Sequence, residues 1–141
     1  MVDKEQTEIF KMKLVIDCNI IISAIISPDG TIANVIFNKL KGTDLLAPNY
    51  LFHEILNKQD KILRITGYSS DEFFDLLYLL TKRIDFIDES LISEKFIKKA
   101  YDLTINVDTK DTYYVALSLQ SKADIWTGDK KLLKGLRQNG F

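Results

Sequence analysis

Residues 13–17 are Lys13-Leu14-Val15-Ile16-Asp17, a short apolar run that ends at a carboxylate. The apolar side chains are consecutive rather than alternating with polar ones, and two of them are β-branched. This pattern is typical of a strand that is buried on both faces, as strands are in parallel sheets covered by helices. We therefore predict a parallel β-strand here, with Asp17 at its carboxyl end.

Further short apolar runs follow, each separated from the next by a segment with helical spacing. The other predicted strands are residues 44–47, 84–87 and 123–127. The predicted helices are residues 31–40, one long helix from Pro48 to Gly67, a helix capped by residues 69–72, then 93–103, 113–121 and a basic helix over 130–137. This alternation predicts an α/β fold, a three-layer α/β/α sandwich with a central parallel sheet.

The 141 residues carry 19 Lys and Arg against 20 Asp and Glu, which gives a formal net charge of -1. We expect an N-terminal extension over residues 1–11 and a single domain over residues 12–141. The charge excludes a global basic field that attracts nucleic acid, so any polyanion must bind locally. Cys18 is the only cysteine, and the sequence has neither a secretory signal pattern nor an apolar run long enough to span a membrane. These features predict a cytoplasmic protein that does not contact a membrane.

Acidic residues follow the predicted strands at the edge where ligands bind in open parallel sheets. Asp17 follows the first strand, Asp108 and Asp111 lie at a helix start, and Asp129 follows the last strand. Glu54 lies less than two turns into the helix expected to begin near Pro48, close enough to face the same edge. Each acid alone is equally typical of a helix cap or an exposed surface residue, so the hypothesis of a site depends on the group.

Carboxylates that are brought together without a cation repel one another, which raises their pKa values and lowers stability. A hard divalent ion removes that cost, and an oxygen-only set of ligands suits Mg²⁺ or Mn²⁺. Such an ion can polarise a phosphoryl oxygen and activate a water molecule. The acidic edge therefore predicts metal-assisted hydrolysis of phosphodiester bonds.

The first strand and its Asp17, together with Asn19, Ser23 and Ala24, resemble the opening of a PIN domain. The resemblance covers roughly residues 12–136 and continues in the expected order, through residues 51–55, 111–117 and 127–133. It implies a small metal-dependent ribonuclease that acts on RNA with Mg²⁺ or Mn²⁺. Because many PIN domains are toxins of toxin-antitoxin pairs, it also implies an antitoxin protein as a partner.

The resemblance also implies roles for particular residues. The implied catalytic and metal-binding cluster is Asp17, Glu54, Asp111 and Asp129. Asn19 and Thr127 are implied to orient the carboxylates or a phosphate, Asp108 is an additional candidate, and Lys130 begins a basic helix face that is a candidate contact for RNA phosphates. Two positions depart from the family pattern, which has Ser or Thr at Cys18 and often an acid at Lys131.

Two other functions stay open on the sequence alone. A non-catalytic PIN-like interaction module is favoured by the apolar surface of residues 73–80, which is broader than a core-facing stripe and typical of a homodimer face or a contact with an antitoxin helix. A small phosphatase-like hydrolase would need a second Asp where the chain has Asn19. Tyr113 and Tyr114 are candidates for stacking on a base, although their helical spacing predicts that one of them lies in the core.

Overall fold

The computed structural model of the chain describes residues 12–40, 42–128 and 136. Within these residues one sheet contains the strands β1 (Lys13–Ile16), β2 (Asp44–Pro48), β3 (Ile84–Ile87) and β4 (Asp124–Trp126), in the spatial order β3-β2-β1-β4. All three pairings are parallel. The predicted parallel sheet is confirmed.

The predicted extension over residues 1–11 lies outside the described residues. So does the predicted basic helix over 130–137, apart from Leu136, which is buried.

Helices occupy most of the segments between the strands. They are α1 (Cys18–Ile26), α2 (Thr31–Asn34), α3 (Tyr50–Asn57), α4 (Gln59–Thr66), α5 (Ser70–Thr81), α6 (Glu94–Thr104) and α7 (Thr112–Ser121), as far as the structure describes the chain. The α2 helix continues as a π-helical turn over Val35–Lys39. Short 3-10 turns, Glu89–Leu91 and Thr109–Asp111, precede α6 and α7.

The two central strands are buried at consecutive positions. Val15 and Ile16 of β1 are fully buried, and so is Ala47 of β2 beside its buried neighbours Leu45 and Leu46. Consecutive residues of a strand face opposite sides of a sheet, so this burial requires helices on both faces. The α7 helix packs against β1, β2 and β4 and against α6, whereas α1 packs against α3, α4 and α5. The predicted layered α/β architecture is confirmed.

The prediction of a single helix from Pro48 to Gly67 was wrong, because this segment forms two helices. Pro48 is the last residue of β2, and α3 ends before Lys58, whose backbone leaves the helical region at φ -101° and ψ 6°. The apolar spacing continues across the break, with Ile55 and Ile62 buried on either side of it, so the periodicity does not reveal it. Gly67 ends α4, as predicted, in the left-handed region at φ 74°.

None of the described helices is by itself long and apolar enough to cross a membrane. When α1 is taken together with α2 and its π-helical extension, the combined length and apolar composition would be sufficient. The two parts are, however, bent by 111° relative to each other.

A capping box fixes the start of α5. The hydroxyl of Ser69 accepts the backbone N–H of Glu72 at 3.2 Å, and the carboxylate of Glu72 accepts the backbone N–H of Ser69 at 3.2 Å. Two backbone donors that a helix leaves without an internal partner are therefore satisfied.

Replacing Ser69 with Ala should lower the free energy of unfolding by about 1 kcal/mol, because the N–H of Glu72 loses its acceptor. Ser70→Ala is the matched control, since Ser70 is an exposed serine one residue further on and should change stability by less than about 0.5 kcal/mol. Urea denaturation of the three proteins measures both effects. Equal losses for the two variants would contradict the assigned cap.

Candidate functional site

The carboxyl edge of the sheet is fixed by hydrogen bonds between the segments that leave the strands. The N–H of Asp17 donates to the carbonyl of Trp126 at 3.1 Å, and the N–H of Asn49 donates to the carbonyl of Ile87 at 3.1 Å. These bonds hold residues that immediately follow one strand against the last residue of its neighbour. Side chains that leave this edge therefore start from a rigid frame.

Asp17 lies at this edge between β1 and α1 and is 5% exposed. Its backbone carbonyl accepts the N–H of Ile20 at 3.1 Å, so the main chain of Asp17 forms part of the first turn of α1. Its Oδ2 accepts the hydroxyl of Thr127, which follows β4, at 2.6 Å. Because β4 is paired with β1, the sheet itself brings these two residues together. The contact joins two residues that the sequence analysis assigned to one site.

Glu54 projects from α3 and is half-buried. Its Oε1 accepts the phenolic hydroxyl of Tyr114, from α7, at 2.5 Å. Burial raises the pKa of Glu54 and the charge of Asp17 raises it further, whereas the hydrogen bond from Tyr114 and the charges of Lys58 and Lys110 oppose the increase. The effect of Asp17 on the pKa of Glu54 has the direction expected for repulsion between two carboxylates.

Tyr114 is a site residue whose contact the sequence analysis missed, since it considered Tyr114 only for base stacking or for the core. The ring is 1% exposed, and the hydroxyl is the group that reaches Glu54. Burial and the neighbouring Glu54 raise the pKa of Tyr114 well above its usual range, so its hydroxyl is a neutral donor. A tyrosine at a core-facing helix position is the one available signal, because a buried phenol needs a polar partner.

The remaining described candidates have different environments. Asp111 is half-buried and ends the turn before α7, where its backbone is helical and its side chain does not cap the helix. Asp108 is exposed and its carboxylate accepts the N–H of Lys110 at 2.9 Å, which caps that turn. Asn19 is exposed in the first turn of α1.

Asp129 and Lys130 lie outside the described residues, so their assignment stays a prediction.

Asp17 and Glu54 carry the type of ligand atom that a divalent cation such as Mg²⁺ prefers. Both side chains offer carboxylate oxygens, their charges repel each other, and Mg²⁺ is commonly held by one or two carboxylates while water and substrate phosphate complete its coordination. Across residues 12–40, 42–128 and 136, no three His, Cys, Asp or Glu side chains cluster closely enough to enclose a metal ion. The described residues thus contain no closed set of three or more such ligands.

Cys18 is adjacent to this pair but is not a reactive thiol. It is 1% exposed, and burial, followed by the charge of Glu54, raises its pKa to about 12. The thiol therefore stays protonated at neutral pH and behaves as a small buried apolar group.

The family model described as PIN domain matches residues 15–140 of the 141-residue chain. This span contains the last two residues of β1, all of β2 to β4, and the four acids Asp17, Glu54, Asp111 and Asp129. No curated protein matches the sequence.

The raised pKa of Glu54 predicts how stability depends on pH in the absence of metal. The folded protein binds a proton at Glu54 more tightly than the unfolded chain does, so folding is weakened as the pH rises above the ordinary glutamate pKa of about 4.3. The destabilisation is complete once the pH exceeds the raised pKa of the folded state. Glu54→Gln should remove it, so the variant should gain stability relative to wild type as the pH rises above about 4.3.

Urea denaturation at a series of pH values in EDTA measures this difference. Glu94→Gln is the control, because Glu94 is an exposed glutamate on α6. A stability difference between Glu54→Gln and wild type that does not change with pH would show that burial and repulsion do not act on Glu54.

Proposed function

Since this chain belongs to the PIN domain family, we propose that it is a metal-dependent endoribonuclease that hydrolyses RNA phosphodiester bonds with Mg²⁺ or Mn²⁺. PIN domains are generally nucleases and typically use divalent metals. The observation that carries the proposal is a pair of hydrogen-bonded carboxylates, Asp17 at the carboxyl edge and Glu54 on α3. Each accepts a hydrogen bond from a hydroxyl on another element, Thr127 for Asp17 and Tyr114 for Glu54.

In this proposal Asp17 and Glu54 hold the divalent ion, and Asp111 and Asp129 are further ligands. When bound, the ion supplies Lewis acidity toward the phosphoryl oxygen and lowers the pKa of a water molecule. The residues of the chain itself position the groups that bind the ion and the phosphate. Thr127 and Tyr114 orient the carboxylates through hydrogen bonds, so less conformational freedom is lost when the ion and the phosphate bind.

Local positive charge accompanies the acidic pair. Lys58 and Lys110 are exposed, and both lie near enough to Glu54 to oppose the rise of its pKa. An approaching phosphate therefore meets cations beside the carboxylates even though the whole chain has a net charge of -1. We assign Asn19 and Asp108 to orienting the carboxylates or the substrate, and Lys130 to a contact with RNA phosphates.

A protein partner is the second part of the proposal. In α5 the side chains of Phe74, Tyr78 and Leu79 are exposed, whereas those of Phe73 and Leu77 are buried. An exposed apolar surface of this kind suits a second copy of the chain or the helix of an antitoxin. We accordingly propose a cytoplasmic toxin of a toxin-antitoxin pair, with catalysis and protein binding on different surfaces, rather than a non-catalytic interaction module.

The first test is cleavage of a labelled, mixed-sequence, single-stranded RNA in Mn²⁺, Mg²⁺ or EDTA. Asp17→Asn should abolish metal-dependent cleavage because it removes one carboxylate charge from the pair. Thr127→Val should lower the rate about 10- to 100-fold, because it removes the hydroxyl that orients Asp17 while keeping the side-chain shape. Asp75→Asn, at an exposed aspartate of α5, is the control and should cleave like wild type.

Thermal denaturation with and without Mn²⁺ adds a readout that does not depend on the RNA chosen. The metal should raise the Tm of the wild type and of Asp75→Asn but not that of Asp17→Asn, since only a native-state site is stabilised by its ligand. Full activity in Asp17→Asn would overturn the assignment of that residue. Absence of both cleavage and a Tm shift would favour the interaction module.

A further inference from the structure

A groove of about 500 Å³ opens between α6 and α7, beside the turn that leads into α7. Its lining consists of Ile97, Lys98, Tyr101 and Asp102 from α6, Thr109 from the turn, and Thr112 and Tyr113 from α7. Tyr101 is 46% exposed and Tyr113 is 37% exposed, so both phenol rings are accessible from solvent. The groove therefore offers two aromatic side chains to a ligand.

Aromatic side chains connect this groove to the acidic pair. The centroid of the Tyr113 ring lies 5.8 Å from that of Tyr50, and the Tyr50 ring lies 5.6 Å from that of His53. Tyr50 and Glu54 are four residues apart in α3, so they lie on the same face of this helix. Burial, then the charge of Glu54, raises the pKa of Tyr50, which is consistent with a ring beside that carboxylate. A ligand in the groove thus lies next to the proposed cleavage site.

The chemistry of this surface matches one occupant, an RNA strand. Every nucleobase has a π-face that can stack on a tyrosine ring, whatever its sequence. Lys98 lines the groove and Lys110 directly follows Thr109, and both are exposed. These two lysines outnumber the one acid of the lining, Asp102, so a phosphate next to a bound base would meet positive charge. An apolar peptide would use the rings but would leave the two lysines without a role.

We propose that the groove binds one unpaired base of the RNA strand, with the Tyr113 ring as its stacking surface and the scissile phosphate at Asp17 and Glu54. The proposal rests on the proposed ribonuclease function and adds a substrate contact to it. Tyr101, which also lines the groove, is a further contact for the same base. Because stacking is tolerant of base identity, the groove selects an unpaired nucleotide rather than a particular sequence.

The test measures affinity for a short, labelled, single-stranded RNA in EDTA by fluorescence anisotropy, so that binding is separated from cleavage. Tyr113→Ala should weaken binding about 5- to 100-fold, whereas Tyr113→Phe should bind like wild type because the ring is retained. Ile65→Ala, at an exposed large side chain on α4, is the control and should not change affinity. Equal losses for Tyr113→Phe and Tyr113→Ala would overturn stacking in favour of a hydroxyl contact.

A second set of RNAs carries one abasic nucleotide at each position in turn. At one position the missing base should weaken wild-type binding by the same factor as Tyr113→Ala, and the variant should be insensitive to that change. Tyr101→Ala should show partial coupling at the same position, which supports the groove independently of Tyr113. Additive losses at every position would overturn the proposal.

The two proposals fail in different ways. Metal-dependent cleavage together with unchanged RNA binding by Tyr113→Ala would keep the nuclease and reject the base groove. Coupled loss of binding without cleavage under any metal would keep the groove and reject the nuclease.

Discussion

Burial of β1 on both faces determines where the chemistry of this chain lies. A strand at the centre of a parallel sheet can carry a polar side chain only where it leaves the core, and Asp17 is the first residue beyond β1. Asp17 is nevertheless almost fully buried, with only 5% of its surface exposed, so the lost hydration of its carboxylate must be compensated. The pairing of β4 with β1 brings the Thr127 hydroxyl within 2.6 Å of Asp17, and the sheet order thereby supports the site.

The second carboxylate is held by the core in a similar way. Tyr114 packs among buried residues of α7 and uses its single polar atom to bind Glu54, which also satisfies the phenol. A hydroxyl donor orients a carboxylate without neutralising its charge. Asp17 and Glu54 thus keep their charges, and under the proposed function a divalent cation held by both carboxylates would remove the free-energy cost of their repulsion.

The sequence is sufficient for the parts of this arrangement that depend on local pattern. Continuous apolar runs predict the strands, and the carboxyl ends of those strands predict the positions of Asp17 and Thr127. The break at Lys58 is not predictable from periodicity, because the apolar stripe is unbroken there. The contact between Tyr114 and Glu54 is not predictable either, since the two residues are 60 positions apart and meet only when α3 and α7 are packed.

The start of α7 links the acidic pair to the proposed base groove. Adjacent residues of a helix are turned by about 100°, so Tyr114 can face Glu54 while Tyr113 faces the groove. The position of this helix is fixed from α6 by a buried contact of 2.9 Å between the hydroxyls of Thr104 and Thr112. The same contact holds together the two helices that form the groove. Tyr113 and Tyr114 therefore depend on the position of the same helix. A change that shifts α7 will alter both the proposed base groove and the hydrogen bond to Glu54.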